Sequence, residues 1–181
     1  MLTFDAWRFP DAETHLPSKM AGKGIRVAGR LTYQYPLYAQ GLKACRQRRV
    51  AADVGSHIGL FSFWMVRDFA QVHAFEPVEA HRECWLANVP ARPDDRLHAC
   101  ALGATAGTVS MQTLVPSSSG GTCIAGPGTI PLRTLDSVAL PVLDLLKIDV
   151  EGFELEVLQG AAETLTRCRP VCIVEQRPKQ V

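Results

Sequence analysis

At 181 residues, 47% apolar and 20% charged, the chain has the length and composition of a single soluble domain able to bury its own core. No stretch approaches the ~20 uninterrupted apolar residues of a membrane span, and Met1-Leu2-Thr3-Phe4-Asp5-Ala6-Trp7 lacks the basic start and apolar core of a signal peptide, so a cytoplasmic protein without a membrane partner is expected. The net charge of +1 is unevenly spread: Thr14 to Ala52 holds no acid but eight cations (Lys19, Lys23, Arg26, Arg30, Lys43, Arg46, Arg48, Arg49), which leaves the remainder negative by about seven.

Such a basic flank suits nucleic acid, a phosphorylated sugar or a nucleotide-linked substrate, or is a solvated face. The first 36 residues, with Pro10, Pro17, Gly22, Gly24 and Gly29, show no sustained periodicity and are expected to form an irregular lead-in to a domain over 37–181. From Leu37, the positions Leu37, Tyr38, Gly41, Leu42 and Cys45 follow helical spacing, with Pro36 suited to a first turn.

Val50 to Val54 predicts a short buried strand, and Ile58 to Phe69, rich in large apolar residues, a helix packed on the sheet. Gln71 to Phe75 predicts the next strand, Val78 to Val89 the next helix, and Leu97 to Leu102 a third strand after Pro90 and Pro93. This alternation argues for an α/β fold with right-handed crossovers and a parallel sheet, helices on both faces. Between 105 and 135 the pattern changes to a hairpin excursion: an alternating strand over Thr108 to Leu114, a mobile loop at Ser117 to Gly121, and a returning edge strand over Thr129 to Leu132. Val142 to Ile148 then predicts a strand, Phe153 to Arg167 one helix, and Val171 to Glu175 a last strand.

The six cysteines (Cys45, Cys84, Cys100, Cys123, Cys168, Cys172) contain no C-x-x-C pair, so reduced, buried thiols are expected. His81-Arg82-Glu83 matches half of a zinc-deaminase signature, but the P-C-x-x-C half is absent, and nothing in the spacing indicates a metal.

Ligands of a parallel sheet sit beyond the carboxyl ends of its strands, where Asp53, Glu76 and Asp149 fall. Asp53 is followed by Gly55 and Gly59, whose missing side chains let backbone approach a ligand. An acid in this D-x-G-x-x-x-G loop suits a cationic group, such as a methionine-derived ammonium, better than a pyrophosphate. Glu76, 23 residues after Asp53, stands near the ~20-residue offset of a ribose-binding acid and would accept from two vicinal hydroxyls. Ala101 and Leu102 are small and apolar where an adenine edge would lie. Lys147 interrupts the buried strand and must snorkel, pair or lose its charge; it is catalytic, or locked to Asp149 or Glu175. Period two puts Asp149 on its side, and Glu151 too if the extended run continues. His57, inside the glycine loop, is a candidate general base or a backbone-bonded loop histidine; His73, within a strand, is structural.

Asp53-Val54-Gly55-Ser56-His57-Ile58-Gly59, Ala74-Phe75-Glu76-Pro77, Leu145 to Glu154 (Leu-Leu-Lys-Ile-Asp-Val-Glu-Gly-Phe-Glu), Val157 to Ala161 and Ile173-Val174-Glu175 resemble the FkbM family of methyltransferases over about residues 50–178, and the short bacterial and phage-encoded members most. The resemblance implies a Rossmann-like class I fold that takes S-adenosylmethionine and methylates a hydroxyl of a sugar or other small molecule. By matching positions, Asp53, Gly55, Ser56, His57 and Gly59, with Ile58, would hold the methionine end, Glu76 and Pro77 the ribose, and Lys147, Asp149 and Glu151 would border the methyl-transfer site, with Asp149 or Glu151 as base ahead of His57. Two departures stand out. Ser56-His57 replaces the common alanine-asparagine pair, and the usual C-terminal antiparallel strand pair is missing, so the excursion or a second copy paired along the sheet edge is expected to cover that edge. A shortened, non-catalytic cofactor-binding variant and a nucleic-acid methyltransferase are the alternatives; against the latter, the chain has no [N/D]-P-P-[Y/F] motif.

Overall fold

The computed structural model describes residues 1–175, so the part of the expected 37–181 domain from Gln176 onward lies outside the described residues. The N-terminal segment departs from the irregular lead-in expected of it. It forms a hairpin of β1 (Leu2–Phe4) and β2 (Trp7–Phe9), the helix α1 (His15–Lys23), and a second hairpin of β3 (Ile25–Val27) and β4 (Arg30–Thr32). Strands of three residues are too short to display a period, yet Trp7 and Phe9 flank an exposed Arg8 and are both fully buried. The indole of Trp7 donates to the Leu31 carbonyl at 2.8 Å and meets the Phe63 ring edge-on at 5.2 Å. Burying two such aromatic side chains contributes roughly 1.5–3 kcal/mol each.

The helix α2 (Tyr35–Ala44) leads into the central sheet, whose strands are β5 (Val50–Val54), β6 (Gln71–Phe75) after α3 (Ser62–Asp68), and β7 (Arg96–His98) after α4 (Glu79–Asn88). Regular helix begins only at Ser62, four residues later than expected. Gly59 at φ +91° turns the chain there, in a spot where a Cβ would lie 2.5 Å from Val89 Cγ2. The single strand expected over 97–102 divides into β7 and β8 (Ala101–Leu102), and β8 leaves the main sheet. It joins the excursion, a hairpin of β9 (Gly107–Thr113) and β10 (Thr122–Arg133) in which β10 runs antiparallel to β9 and parallel to β8.

The chain returns through β11 (Leu145–Ile148), α5 (Glu154–Gln159), α6 (Ala162–Cys168) and β12 (Val171–Val174). The single helix expected over 153–167 breaks at Gly160, where a Cβ would lie 2.0 Å from the Gly103 carbonyl oxygen, and Asp136 then accepts the Glu163 and Thr164 amides at the start of α6. The main sheet has the order β12-β11-β5-β6-β7, every pair parallel. Strands β6 and β7 lie to one side of β5 and strands β11 and β12 to the other. The switch point, where a doubly wound sheet opens a crevice, therefore falls between β5 and β11. Among the described residues β12 pairs with β11 alone, and the excursion does not cover its outer edge.

Two apolar clusters sandwich the sheet: Ala51 and Leu145 face the N-terminal hairpins, α2 and α3, while Ala52, Val54, Leu146 and Ile148 face Leu135, Leu143 and Val157. No described helix is long and apolar enough to cross a membrane. All six cysteines are free, but the expected burial holds only for Cys84 and Cys100.

His73 lies in β6 with Nδ1 3.0 Å from His98 Nε2, and the His98 ring stacks on Phe75 at 4.4 Å. Burial, with His73 beside it, depresses the His98 pKa to about 4. A histidine whose folded pKa lies below the unfolded value near ~6.5 contributes stability that is full above that value and is lost as pH falls from there through about 4. Urea midpoints should therefore fall between pH 7 and pH 5, and His98→Phe should flatten that decline; an unchanged slope would remove this pair from the acid response.

Candidate active site

At the carboxyl ends of β5, β6 and β11 lies a cavity of about 500 Å³. It is lined by Gly55, Ser56, His57, Glu76, Pro77, Ala101, Leu102, Lys147, Asp149 and Glu151, which gathers most of the residues singled out from sequence. Asp53, Ile58 and Gly59 are not among its walls: Asp53 and Ile58 are fully buried and Gly59 backs onto Trp85.

Asp53 instead faces its register partner on the neighbouring strand, Lys147, whose Nζ is 3.0 Å from Asp53 Oδ1. The other Asp53 oxygen accepts the Ser62 hydroxyl at 2.6 Å. The ammonium also donates to the Val54 and Gly55 carbonyls at 3.2 and 2.7 Å, whereas Asp149 stands 3.9 Å away. The lock expected between Lys147 and Asp149 or Glu175 is thus chiefly a lock on Asp53. Burial alone would depress the Lys147 pKa, but the charges of Asp53 and Asp149 outweigh it and raise the pKa. Held protonated, Lys147 cannot accept a proton, and its chemistry is to clamp the glycine loop by the Gly55 carbonyl.

That clamp fixes an unusual backbone. Gly55 adopts φ +70°, and a Cβ there would lie 2.0 Å from the Asp149 carbonyl oxygen, so β5 and β11 touch directly at the switch point. His57 follows at φ +48° and Glu151 at φ +59°, both non-glycine residues in the left-handed region. Such strain, of order 1–3 kcal/mol each, concentrates at ligand-binding sites. The turn at Glu151 also ends the extended run, so strand parity does not place this side chain, although it still lines the cavity.

Glu76 is the most fully oriented acid. Its Oε2 accepts the His57 amide at 2.8 Å, and its Oε1 accepts the Val78 amide at 2.9 Å and lies 3.2 Å from His81 Nδ1. Carboxylate oxygens have more lone pairs than these donors occupy, so the rigid group can still accept from hydroxyls in the cavity. His81, set aside in the sequence as half of a zinc signature, belongs to this cluster; the signal was its place five residues past Glu76 across a strand-to-helix turn. The His57 ring meets that of His81 edge-on at 4.3 Å. Burial, then His81 and Lys147, push its pKa well below the ordinary value, so His57 is neutral at pH 7.

Two residues not singled out from the sequence, Ser119 and Glu13, also appear, together with Glu175, which the sequence offered only as a partner for Lys147. Ser119, in the loop expected to be mobile, is 6% exposed and sits with its Oγ 2.8 Å from His57 Nε2. It donates in turn to fully buried Glu13. Glu175 lines the cavity beside Asp149, to which it is hydrogen-bonded. Burial, then that neighbour, push its pKa up to about 7. Asp149, Glu151 and Glu175 bring one oxygen each within 4.8 Å of one another, a spacing compatible with hard-cation coordination.

The methyltransferase FkbM domain matches residues 53–180. The chain is 30% identical to the methyltransferase sdnD of Sordaria araneosa over 61% of this chain, and the match spans 60% of that protein's length. The crystal structure of the methyltransferase FkbM from Methylobacillus flagellatus KT shares 18% identity at a TM-score of 0.49, over 71% of this chain and 32% of that one. With the glycine loop, the strand-end acids and the β11 lysine all inside the matched span, this chain belongs to the FkbM methyltransferase family.

Proposed function

We propose that the protein transfers a methyl group from S-adenosylmethionine to a hydroxyl of a small-molecule or glycan acceptor. The observation that carries the reading is Glu76, a carboxylate at the end of β6 held rigid by three donors beside the glycine loop and facing the cavity. Vicinal ribose hydroxyls are the ligand such an acceptor-only group suits. The Ser56 hydroxyl supports the same reading: it is buried in the cavity wall with no hydrogen-bond partner, and a bound polar ligand would relieve that cost. The cofactor fits the donor set, with Glu76 for the ribose, Gly55 and Ser56 for the methionine end, and Ala101 and Leu102 for the base.

When bound, the cofactor supplies a methyl group activated on a sulfonium. The chain's own residues orient the two reactants and take the hydroxyl proton, the work for which Asp149 and Glu175 are placed. On the acceptor side, a groove along α1 lined by His15, Ser18, Lys19 and Lys23 shares His15 and Lys19 with the cavity. This basic rim favours an acceptor that carries an anionic group such as a phosphate.

Calorimetry with S-adenosylhomocysteine tests the reading. Wild type should bind, Glu76→Gln should bind about 10-fold more weakly, and Glu76→Ala weaker still, since each charge-assisted hydrogen bond lost is worth about 1.5–3 kcal/mol. Circular dichroism melts would confirm that the variants remain folded. No binding by wild type at millimolar ligand would end the proposal.

A further inference from the structure

The residues Glu13, Ser119 and His57 come from three distant parts of the chain and meet in one line. Glu13 is fully buried, and its Oε1 accepts the Leu16 amide at 2.7 Å at the start of α1. Its Oε2 accepts both the amide and the hydroxyl of Ser119 at 2.5 Å. The Ser117 carbonyl accepts the Thr14 and His15 amides at 3.0 Å, so the N-terminal segment and the 117–121 loop form one tied cover over the cavity.

A hydroxyl has one hydrogen. With that hydrogen given to Glu13, Ser119 Oγ can only accept from His57 Nε2, 2.8 Å away. The imidazole is neutral and carries one ring hydrogen, which must then sit on Nε2, leaving Nδ1 with a bare lone pair.

We propose that Glu13 and Ser119 are positioning residues that fix His57 in its Nε2–H tautomer, so that Nδ1 serves as a hydrogen-bond acceptor for a hydroxyl or ammonium donor of the cofactor. This rests on the proposed function for the identity of the donor but not for the tautomer itself. An asparagine at position 57 would offer fixed amide groups; a histidine offers an acceptor only if something sets its tautomer, and the Glu13–Ser119 pair supplies that. The inference also gives the N-terminal segment a role at the site: the carboxylate that accepts the Leu16 amide at the start of α1 aligns the glycine loop's one imidazole.

Long-range ¹H–¹⁵N correlation on uniformly labelled full-length protein near pH 7.5, with His57 assigned by its loss in His57→Gln, reads the tautomer directly. The expected result is Nε2–H in wild type and in Ser119→Thr, which keeps the hydroxyl. Ser119→Ala should give a mixture of tautomers and weaken S-adenosylhomocysteine about 3–10-fold, the range for loss of one ordinary hydrogen bond. Glu13→Gln should keep Nε2–H, because its side-chain oxygen stays on the two Ser119 donors, whereas Glu13→Ala removes that acceptor, frees the Ser119 hydroxyl to donate to Nε2 and should admit the Nδ1–H tautomer with a loss of affinity at least as large as that of Ser119→Ala. An Nδ1–H wild type overturns the proposal. So does a Ser119→Ala protein that melts lower yet keeps its His57 tautomer, the result of a purely structural tie. If wild type binds no S-adenosylhomocysteine, the proposed function fails while the spectra still decide the tautomer.

Discussion

Replacing Asp53 with alanine should destabilise the fold by about 3–5 kcal/mol, the cost of removing one partner from a buried ion pair. Lys147 is 4% exposed and Asp53 fully buried, so the ammonium left behind gains little hydration in exchange for the lost carboxylate. It would keep the Val54 and Gly55 carbonyls and an Asp149 carboxylate 3.9 Å away, none of which neutralises it at contact distance. Against a total stability of about 5–15 kcal/mol for a domain of this kind, the loss is large. The double variant Asp53→Ala with Lys147→Met should recover most of it, because an apolar pair of similar volume avoids the desolvation of both charges. Urea denaturation of the two proteins decides the matter. A single variant within about 0.5 kcal/mol of wild type would show that the lock contributes nothing, and an unrecovered double variant would place the effect in Ser62 or the loop carbonyls.

Why the sequence placed Asp53 against the ligand and the structure places it under the loop is a matter of strand order. Asp53 and Lys147 are adjacent only because β11 inserts beside β5, and no local pattern states that two runs 94 residues apart are register partners. The largely apolar runs of β5, β6 and β11, by contrast, declared themselves, since a strand buried on both faces is mostly apolar. The N-terminal hairpins did not, because their burial comes from single anchors such as Trp7 rather than from a repeat. Strand-end acids were legible as a class, Glu76 above all, because the topology of a parallel sheet dictates where its ligands sit. Glu13 and Ser119, 106 residues apart, become partners only once the excursion folds back over the glycine loop. Glu175 was read as the end of a strand and a candidate partner of Lys147, and its hydrogen bond with Asp149 depends on that residue lying one strand away.

That last adjacency sets the pH dependence of the proposed reaction. Burial and the neighbouring Asp149 raise the Glu175 pKa to about 7, Glu154 adds to the rise, and Lys147 opposes it. Tyr33 stands near both acids, with its own pKa raised by burial and their charges, so it does not titrate in the same range. Two carboxyl groups in hydrogen-bond contact share one proton, and the apparent value belongs to the pair. Below about 7 protonated Glu175 donates its hydrogen to the Asp149 carboxylate and weakens it as an acceptor for the hydroxyl proton; above it that donor is lost. Methyl transfer should therefore rise in kcat/KM between pH 6 and pH 8 and level off. Asp149→Asn should lower the plateau about 10²–10⁴-fold, the range over which general-base catalysis operates. Glu175→Gln removes the group that titrates near 7, so the rise between pH 6 and pH 8 should disappear, and the surviving rate measures how far Asp149 alone can act as base. A wild-type profile flat across pH 6–8, or an Asp149→Asn plateau within 3-fold of wild type, would show that orientation alone carries the step and that the acceptor hydroxyl loses its proton to water.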